Sequence, residues 1–200
     1  MRLRAFARDA ACLARSGRLR PAVRRAGHVL SEGELLVVVK RLDEIAPPTA
    51  DAGLVVDDLD ASALPALARF NARRCASRVT ARFAADLAAG RRAFVGRAAG
   101  DIAGYYWWVD AGTGHPHLDR LGVALGPDDA YGYDFFVAEE HRGGGRAGQF
   151  LHGVETALAG RGYRTLWGYV RADNRPARWL YGLRGYEVTV SVHVRPFRLL

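Results

Sequence analysis

Cysteine and lysine are nearly missing from this 200-residue chain, which holds only Cys12 and Cys75 and a single lysine, Lys40, beside 28 arginines. Two cysteines are too few for a disulfide framework or a cysteine-ligated metal site, so no metal is expected and a reducing, cytoplasmic compartment is the simpler reading. Long apolar runs are missing as well. The longest unbroken aliphatic stretch covers residues 35–39, far short of the roughly 20 residues that a membrane-spanning helix needs. The arginine-rich N-terminus lacks the apolar segment of a secretory signal. There are no internal repeats or low-complexity tracts. The preference for arginine over lysine, with abundant alanine, fits a GC-rich bacterial genome better than selection at each site, and a soluble protein is expected.

Half the residues are apolar and a quarter charged, enough for one compact domain with a real core. The net charge of +8 looks like a nucleic-acid footprint until it is located. Residues 1–25 carry eight arginines against the one acid Asp9, which leaves only +1 for the other 175 residues. A near-neutral body with one basic arm argues against a nucleic-acid partner. Within the arm, Leu3, Phe6, Ala10, Leu13 and Ala14 share one helical face until Gly17 interrupts. This basic amphipathic helix is expected to cover a sheet edge or stand in solvent, with peripheral contact to an anionic membrane as the second reading. Pro21 opens a second short helix through Ala26. Residues 34–42 (ELLVVVKRL) read as a strand and 46–53 as a Pro- and Gly-rich linker. The expected division is therefore 1–52 as arm, strand and linker, and 53–200 as the domain proper.

After the linker the pattern becomes regular. It predicts a strand at 54–56, a helix carrying Leu64, Leu67 and Phe70, a helix over 80–89, and a hairpin of strands 93–97 and 102–110. A loop follows over 111–130, with a short strand around 121–125. Then come a strand at 132–137, a helix over 146–159, a strand at 165–170, a helix over 175–184 and a last strand over 186–197. Tyr105, Tyr106, Trp107 and Trp108 alternate between the two faces of their strand. One side is expected in the core and the other on a substrate pocket. The order predicts an α/β (α+β) fold, a mixed sheet with one βαβ unit late in the chain.

Between strand 132–137 and helix 146–159 lie Arg142, Gly143, Gly144, Gly145, Arg146, Ala147 and Gly148. Three successive glycines at a helix N-terminus let backbone N–H groups approach a phosphate, and the helix dipole favours its charge. Arg142 and Arg146 add charge-assisted bonds to the same anion. The glycines also match G-x-G-x-x-G, the dinucleotide fingerprint. That fingerprint should sit directly at a strand end, early in a βαβ unit, with an acid about 20 residues on. Here four residues precede even Arg142, and no acid lies between Glu155 and Asp173. No Lys-Ser/Thr follows the glycines, so a nucleoside-triphosphate P-loop is excluded.

The same residues satisfy R-x-x-G-x-G/A, and 32 residues beyond Arg142 a second pattern begins. Asn174, Ala177, Tyr181, Gly185 and Tyr186 match N-x-x-A-x-x-x-Y-x-x-x-G-F/Y. With both signatures in order, residues 53–197 resemble the GNAT superfamily of acyl-CoA-dependent N-acyltransferases. The resemblance implies a mostly antiparallel sheet with helices on both faces, splayed between its fourth and fifth strands, here 132–137 and 165–170. It implies acetyl-CoA as co-substrate, with its pyrophosphate in the loop Arg142 to Ala147 and its pantetheine arm in the split beside Phe136 and Val137. It further implies that the backbone N–H near Val137 polarises the thioester, that Asn174 bonds near the pantetheine, and that Tyr181 protonates the departing thiolate. The expected reaction is direct acetyl transfer to a primary amine of a small molecule, of amino sugar, amino acid or polyamine type. The alternatives are a non-catalytic acyl-CoA-binding module and, behind it, a dinucleotide-binding oxidoreductase.

The base that accepts the amine's proton is not fixed by motif. Asp134 shares a strand face with Phe136 by alternation and is the first candidate, ahead of Glu139, Glu140 and His141. His115 and His117 have no further cysteine or histidine nearby, so no metal is assigned to them. Many relatives close the sheet with two C-terminal strands, whereas this chain offers one. Strand 34–42 is therefore expected to dock on a bare edge, within the monomer or across a homodimer.

Overall fold

In the computed structural model, which describes residues 2–17, 33–47 and 53–194, seven strands join in one sheet. They are β1 (Gly33–Arg41), β2 (Leu54–Asp58), β3 (Arg92–Ala98), β4 (Asp101–Asp110), β5 (Asp129–Val137), β6 (Thr165–Arg171) and β7 (Glu187–Val194). Their spatial order is β2-β3-β4-β5-β6-β1-β7, and every neighbouring pair is antiparallel except β5 and β6. Six α-helices accompany them among the described residues: α1 (Arg2–Arg15), α2 (Leu64–Arg73), α3 (Ser77–Ala88), α4 (Pro116–Leu121), α5 (Arg146–Ala159) and α6 (Arg175–Leu183). The short helix expected from Pro21 to Ala26 and the last strand beyond Val194 lie outside the described residues.

The sheet separates two cores. One holds Leu67, Phe70 and Phe83 of α2 and α3 against Leu35, Tyr105, Trp107 and Tyr131. The other holds Phe150, Leu151, Val154 and Leu158 of α5 against Phe94, Tyr106, Trp108 and Leu166. Strand β4 is buried on both faces, so neither half of its aromatic quartet forms an open pocket wall. This corrects the expectation that one side would line a pocket. Loop 111–130 also differs from expectation, since no strand forms around residues 121–125. His115 instead caps α4, Pro116 occupies its first turn, and Gly122 ends it at φ 66°. Six residues are too few to show a helical period.

Strand β1 enters the sheet, but between β6 and β7 and not at an edge. Leu35 lies opposite both Arg171 and Val192. Leu35 and Val37 face one core and Val38 the other, and a strand apolar on both sides belongs in a sheet interior. Lys40 fastens the same strand to the helices. Its Nζ donates to Glu155 Oε2 of α5 at 2.8 Å, and Arg184 donates to that same buried carboxylate.

The arm departs from expectation in a similar way. Helix α1 packs on α3, and Cys12 and Cys75 form a disulfide across 63 residues. Two cysteines make no framework, yet here they make one tether. Asp9, the single acid of the basic arm, is buried and accepts the Ser77 N–H at 2.9 Å where α3 begins. The helix thus covers the α2–α3 junction.

Candidate functional site

Strands β5 and β6 pair over three positions only, Asp129 to Tyr131 against Thr165 to Trp167. Beyond them β6 stays bonded to β1 as far as Arg171, while β5 stays bonded to β4 as far as Val137. The sheet therefore opens between residues 132–137 and 168–171. Ala138 N–H donates to Ala103 O on the β4 side, so strand alternation turns the Val137 N–H to the opposite side, into the opening. A bulge sits within this part of β5. The register against β4 slips between Tyr105 and Trp107, and Asp134 takes φ 52°, in the left-handed region. Asp134 shares a face with Phe136, with Phe135 turned to the other core, and the bulge breaks the alternation between Tyr133 and Asp134.

At the C-terminal end of β5, a turn of 3-10 helix (Glu139–His141) leads into the glycines. Arg142 reaches back to donate from Nε to the Val137 carbonyl at 3.0 Å. Gly143, Gly144 and Gly145 have φ of 92°, 55° and 79°, a run that residues with a Cβ adopt only with strain. The loop delivers the chain to α5 with no side chain capping its first turn. The first-turn amides beside Ala147 thus have no intrahelical acceptor, and Arg146 Nε is buried without a partner. Glu139 and Glu140 are exposed, and neither points its carboxylate at a cation in this loop within ion-pair distance among the described residues.

Helix α6 begins where the sequence places it. Asn174 accepts the Ala177 N–H through Oδ1 at 3.3 Å, Pro176 falls in the first turn, and Gly185 turns the chain out at φ 76°. This cap presents Tyr181 inward. The ring is buried, meets Tyr186 edge-on at 4.7 Å, and lines a groove of about 370 Å³ with Val38, Val170 and Trp179. Burial, then the nearby Tyr169 and Glu155, push its phenol well above the ordinary value, so the hydroxyl keeps its proton.

On the opposite face of the opening, α3 and α4 supply a polar and aromatic lining. Arg82 of α3 pairs with the Asp134 carboxylate and lies 3.8 Å from Asp86. Tyr133 and Tyr169 flank this pair, and burial followed by the Asp134 charge pushes Tyr169 up to about 12. His117 packs edge-on to Tyr169 at 5.7 Å, and its Nδ1 lies 3.5 Å from the Tyr131 hydroxyl. His115 accepts the His117 N–H on Nδ1 at 3.1 Å. No cluster of potential metal ligands occurs among the described residues.

An opened parallel strand pair, a glycine turn beneath it and a capped helix carrying a buried tyrosine are together the arrangement of one family. Its model, the acetyltransferase (GNAT) family, matches residues 62–186. The chain belongs to the GNAT family. A curated relative, the uncharacterized N-acetyltransferase YycN of Bacillus subtilis (strain 168), is 35% identical over 89 residues, 44% of this chain. The chain spans half the length of that relative. A putative GNAT acetyltransferase from Novosphingobium aromaticivorans superposes with a TM-score of 0.52 at 18% identity, covering 82% of this chain and 64% of that one. The glucosamine N-acetyltransferase region of a fungal multidomain β-N-acetylglucosaminidase superposes at 0.61 with 14% identity, covering 87% and 22%. These two show a shared GNAT fold.

Of the residues singled out from the sequence, Phe136, Val137, Arg142 and the three glycines gather at the end of β5, with Arg146 and Ala147 opening α5. Asn174 and Tyr181 stand on α6, and Asp134 lies on the α3 side. The aromatic and polar lining of Tyr131, Tyr133, Tyr169, His117, Arg82 and Arg74 escaped sequence reasoning. Strand alternation, which sets Tyr131 and Tyr133 on one face, was the one signal available.

Proposed function

We propose that this chain transfers an acetyl group from acetyl-CoA to a primary amine of a small molecule, by direct attack with both substrates bound. The observation that carries this reading is the opening between β5 and β6, with the Val137 N–H turned into it and the uncapped α5 terminus below. An extended thioester with a pyrophosphate tail matches both ends. The amides of the glycine turn and the side chains of Arg142 and Arg146 hold the pyrophosphate, with the orphaned Arg146 Nε as one donor. Free backbone groups along the inner edges of β5 and β6 hold the pantetheine arm, with Asn174 at its flank.

The positions of the side chains support the following chemistry. Val137 N–H polarises the thioester carbonyl and stabilises the negative charge that develops on its oxygen. The amine enters from the α3 side. Its nitrogen lone pair forms the bond to the acyl carbon, the carbon–sulfur bond breaks, and Tyr181 gives its proton to the sulfur. Asp134 attracts the incoming ammonium and is the carboxylate placed to take its proton, while Arg82 holds it in position.

A thermal shift against acetyl-CoA and NADH in parallel, followed by thiol release with an amine panel, tests the proposal. Stabilisation by acetyl-CoA and release dependent on an amine are expected. Stabilisation by NADH alone, or thiol release indifferent to amines, overturns it.

A further inference from the structure

On the amine side of the opening, the cations of α3 and of the residues just after it are answered by carboxylates. Arg82 is answered by Asp134 and Asp86, and Arg91 by Asp86 at 2.6 Å. Arg74, at the C-terminal end of α2, has no carboxylate within ion-pair distance among the described residues. Its guanidinium carbon lies 3.6 Å from the Phe136 ring centroid and 4.7 Å from that of Phe70. Its Nη1 is buried without any hydrogen-bond partner. Arginine remains charged even where burial works against it, as it does here. A desolvated guanidinium donor left unanswered is costly, so such a group is either a defect or half of an interaction.

Phe136 decides which. It precedes Val137, whose N–H marks where the thioester carbonyl is received, and its ring lies on the face from which the amine enters. A guanidinium stacked on that ring is therefore one residue away from the reacting centre, on the acceptor's side. We infer that Arg74 anchors a carboxylate of the acceptor, so that the substrate class is an amine bearing a carboxylate group, of amino-acid type. This rests on the acyl-transfer reading above and narrows it. A planar carboxylate matches the guanidinium fork. A polyamine would bring a second cation against Arg74, and an amino sugar would offer hydroxyl acceptors without a charge to answer the guanidinium.

Amino acids, each beside its carboxamide, are compared as acceptors by thiol release at saturating acetyl-CoA, together with putrescine and glucosamine 6-phosphate. Arg74→Gln and Arg74→Lys are measured beside the native protein. The preferred acid is expected to exceed its amide about ten- to a hundredfold in kcat/KM, the range for a charged hydrogen bond lost from a buried site. Arg74→Gln should bring the acid down to the level of the amide, and Arg74→Lys should keep part of the preference. Equal rates for acids and amides in the native protein, or a sugar phosphate or diamine as best substrate, overturn the assignment while leaving acyl transfer intact. So does an Arg74→Gln protein that loses both acceptors alike or binds acetyl-CoA more weakly, and if that variant does not fold, Arg74→Lys gives the same comparison. Transfer to no amine at all overturns the transferase reading and this assignment with it.

Discussion

A phenol serves as an acid only if it keeps its proton until the leaving group needs it. The burial of Tyr181 against Tyr186 provides that. A thiolate also leaves without help, so Tyr181→Phe is expected to lower kcat about ten- to a hundredfold, at the low end of general-acid effects. Steady-state turnover at saturating substrates checks this, and an unchanged kcat removes the role. His115 offers a prediction of another kind. Burial first, then the charges of His117 and Arg91, hold its imidazole at about 3, against an ordinary 6.5. The unfolded chain binds that proton below about 6.5 and the folded chain does not, so this group's contribution is full above 6.5 and is lost as the pH falls toward 3. His115→Asn keeps an acceptor for the His117 N–H and should flatten the fall of melting temperature between pH 7.5 and 4.5. Parallel curves for the two proteins would falsify the assignment. Arg142, Asn174 and Tyr181 were legible in the sequence because their spacing is fixed by a loop and one helix. Arg74 and Arg82 were not, because helices from a distant part of the chain bring them to the site.

At the scale of elements, the same division holds. Helix α5 was readable because its apolar stripe repeats over 14 residues, and α6 because its cap, proline and terminal glycine punctuate it. The destination of β1 was not readable. Its hydrophobic pattern announces a strand buried on both faces, but only the sheet can say between which neighbours. The lone lysine makes the placement testable. Lys40 is 5% exposed and donates to Glu155, which is 0% exposed. Removing one member of a buried ion pair typically costs about 3–5 kcal/mol, and Arg184 remains here to share the carboxylate. Lys40→Met is therefore expected to destabilise by about 3 kcal/mol, read as a lower denaturation midpoint with an unchanged slope. A loss below about 1 kcal/mol would mean that β1 owes its position to apolar packing alone.

At the scale of the whole molecule, helix α1 is tied to the α2–α3 junction and does not stand apart from it. Helix α1 reaches the α2–α3 junction through the Cys12–Cys75 disulfide and the Asp9–Ser77 hydrogen bond, and Arg74 is the neighbour of Cys75. The count of cysteines could say only that no framework exists, because pairing depends on where α1 lands. A crosslink closing 63 residues removes conformational freedom from the unfolded chain worth about 4 kcal/mol in the chain-entropy account. Reduction should therefore lower the denaturation midpoint of the native protein, while Cys12→Ser starts from the lower midpoint and ignores the reductant. The second consequence is kinetic. Freed from α1, the turn holding Arg74 is less restrained, so reduction is expected to raise the KM for the acceptor and leave that for acetyl-CoA unchanged. Denaturation and initial rates with and without dithiothreitol, on both proteins, measure the two effects together. A native protein whose midpoint ignores the reductant is one in which these cysteines are not joined. One whose midpoint falls while both KM values hold has a tether that stabilises the fold without restraining the acceptor side.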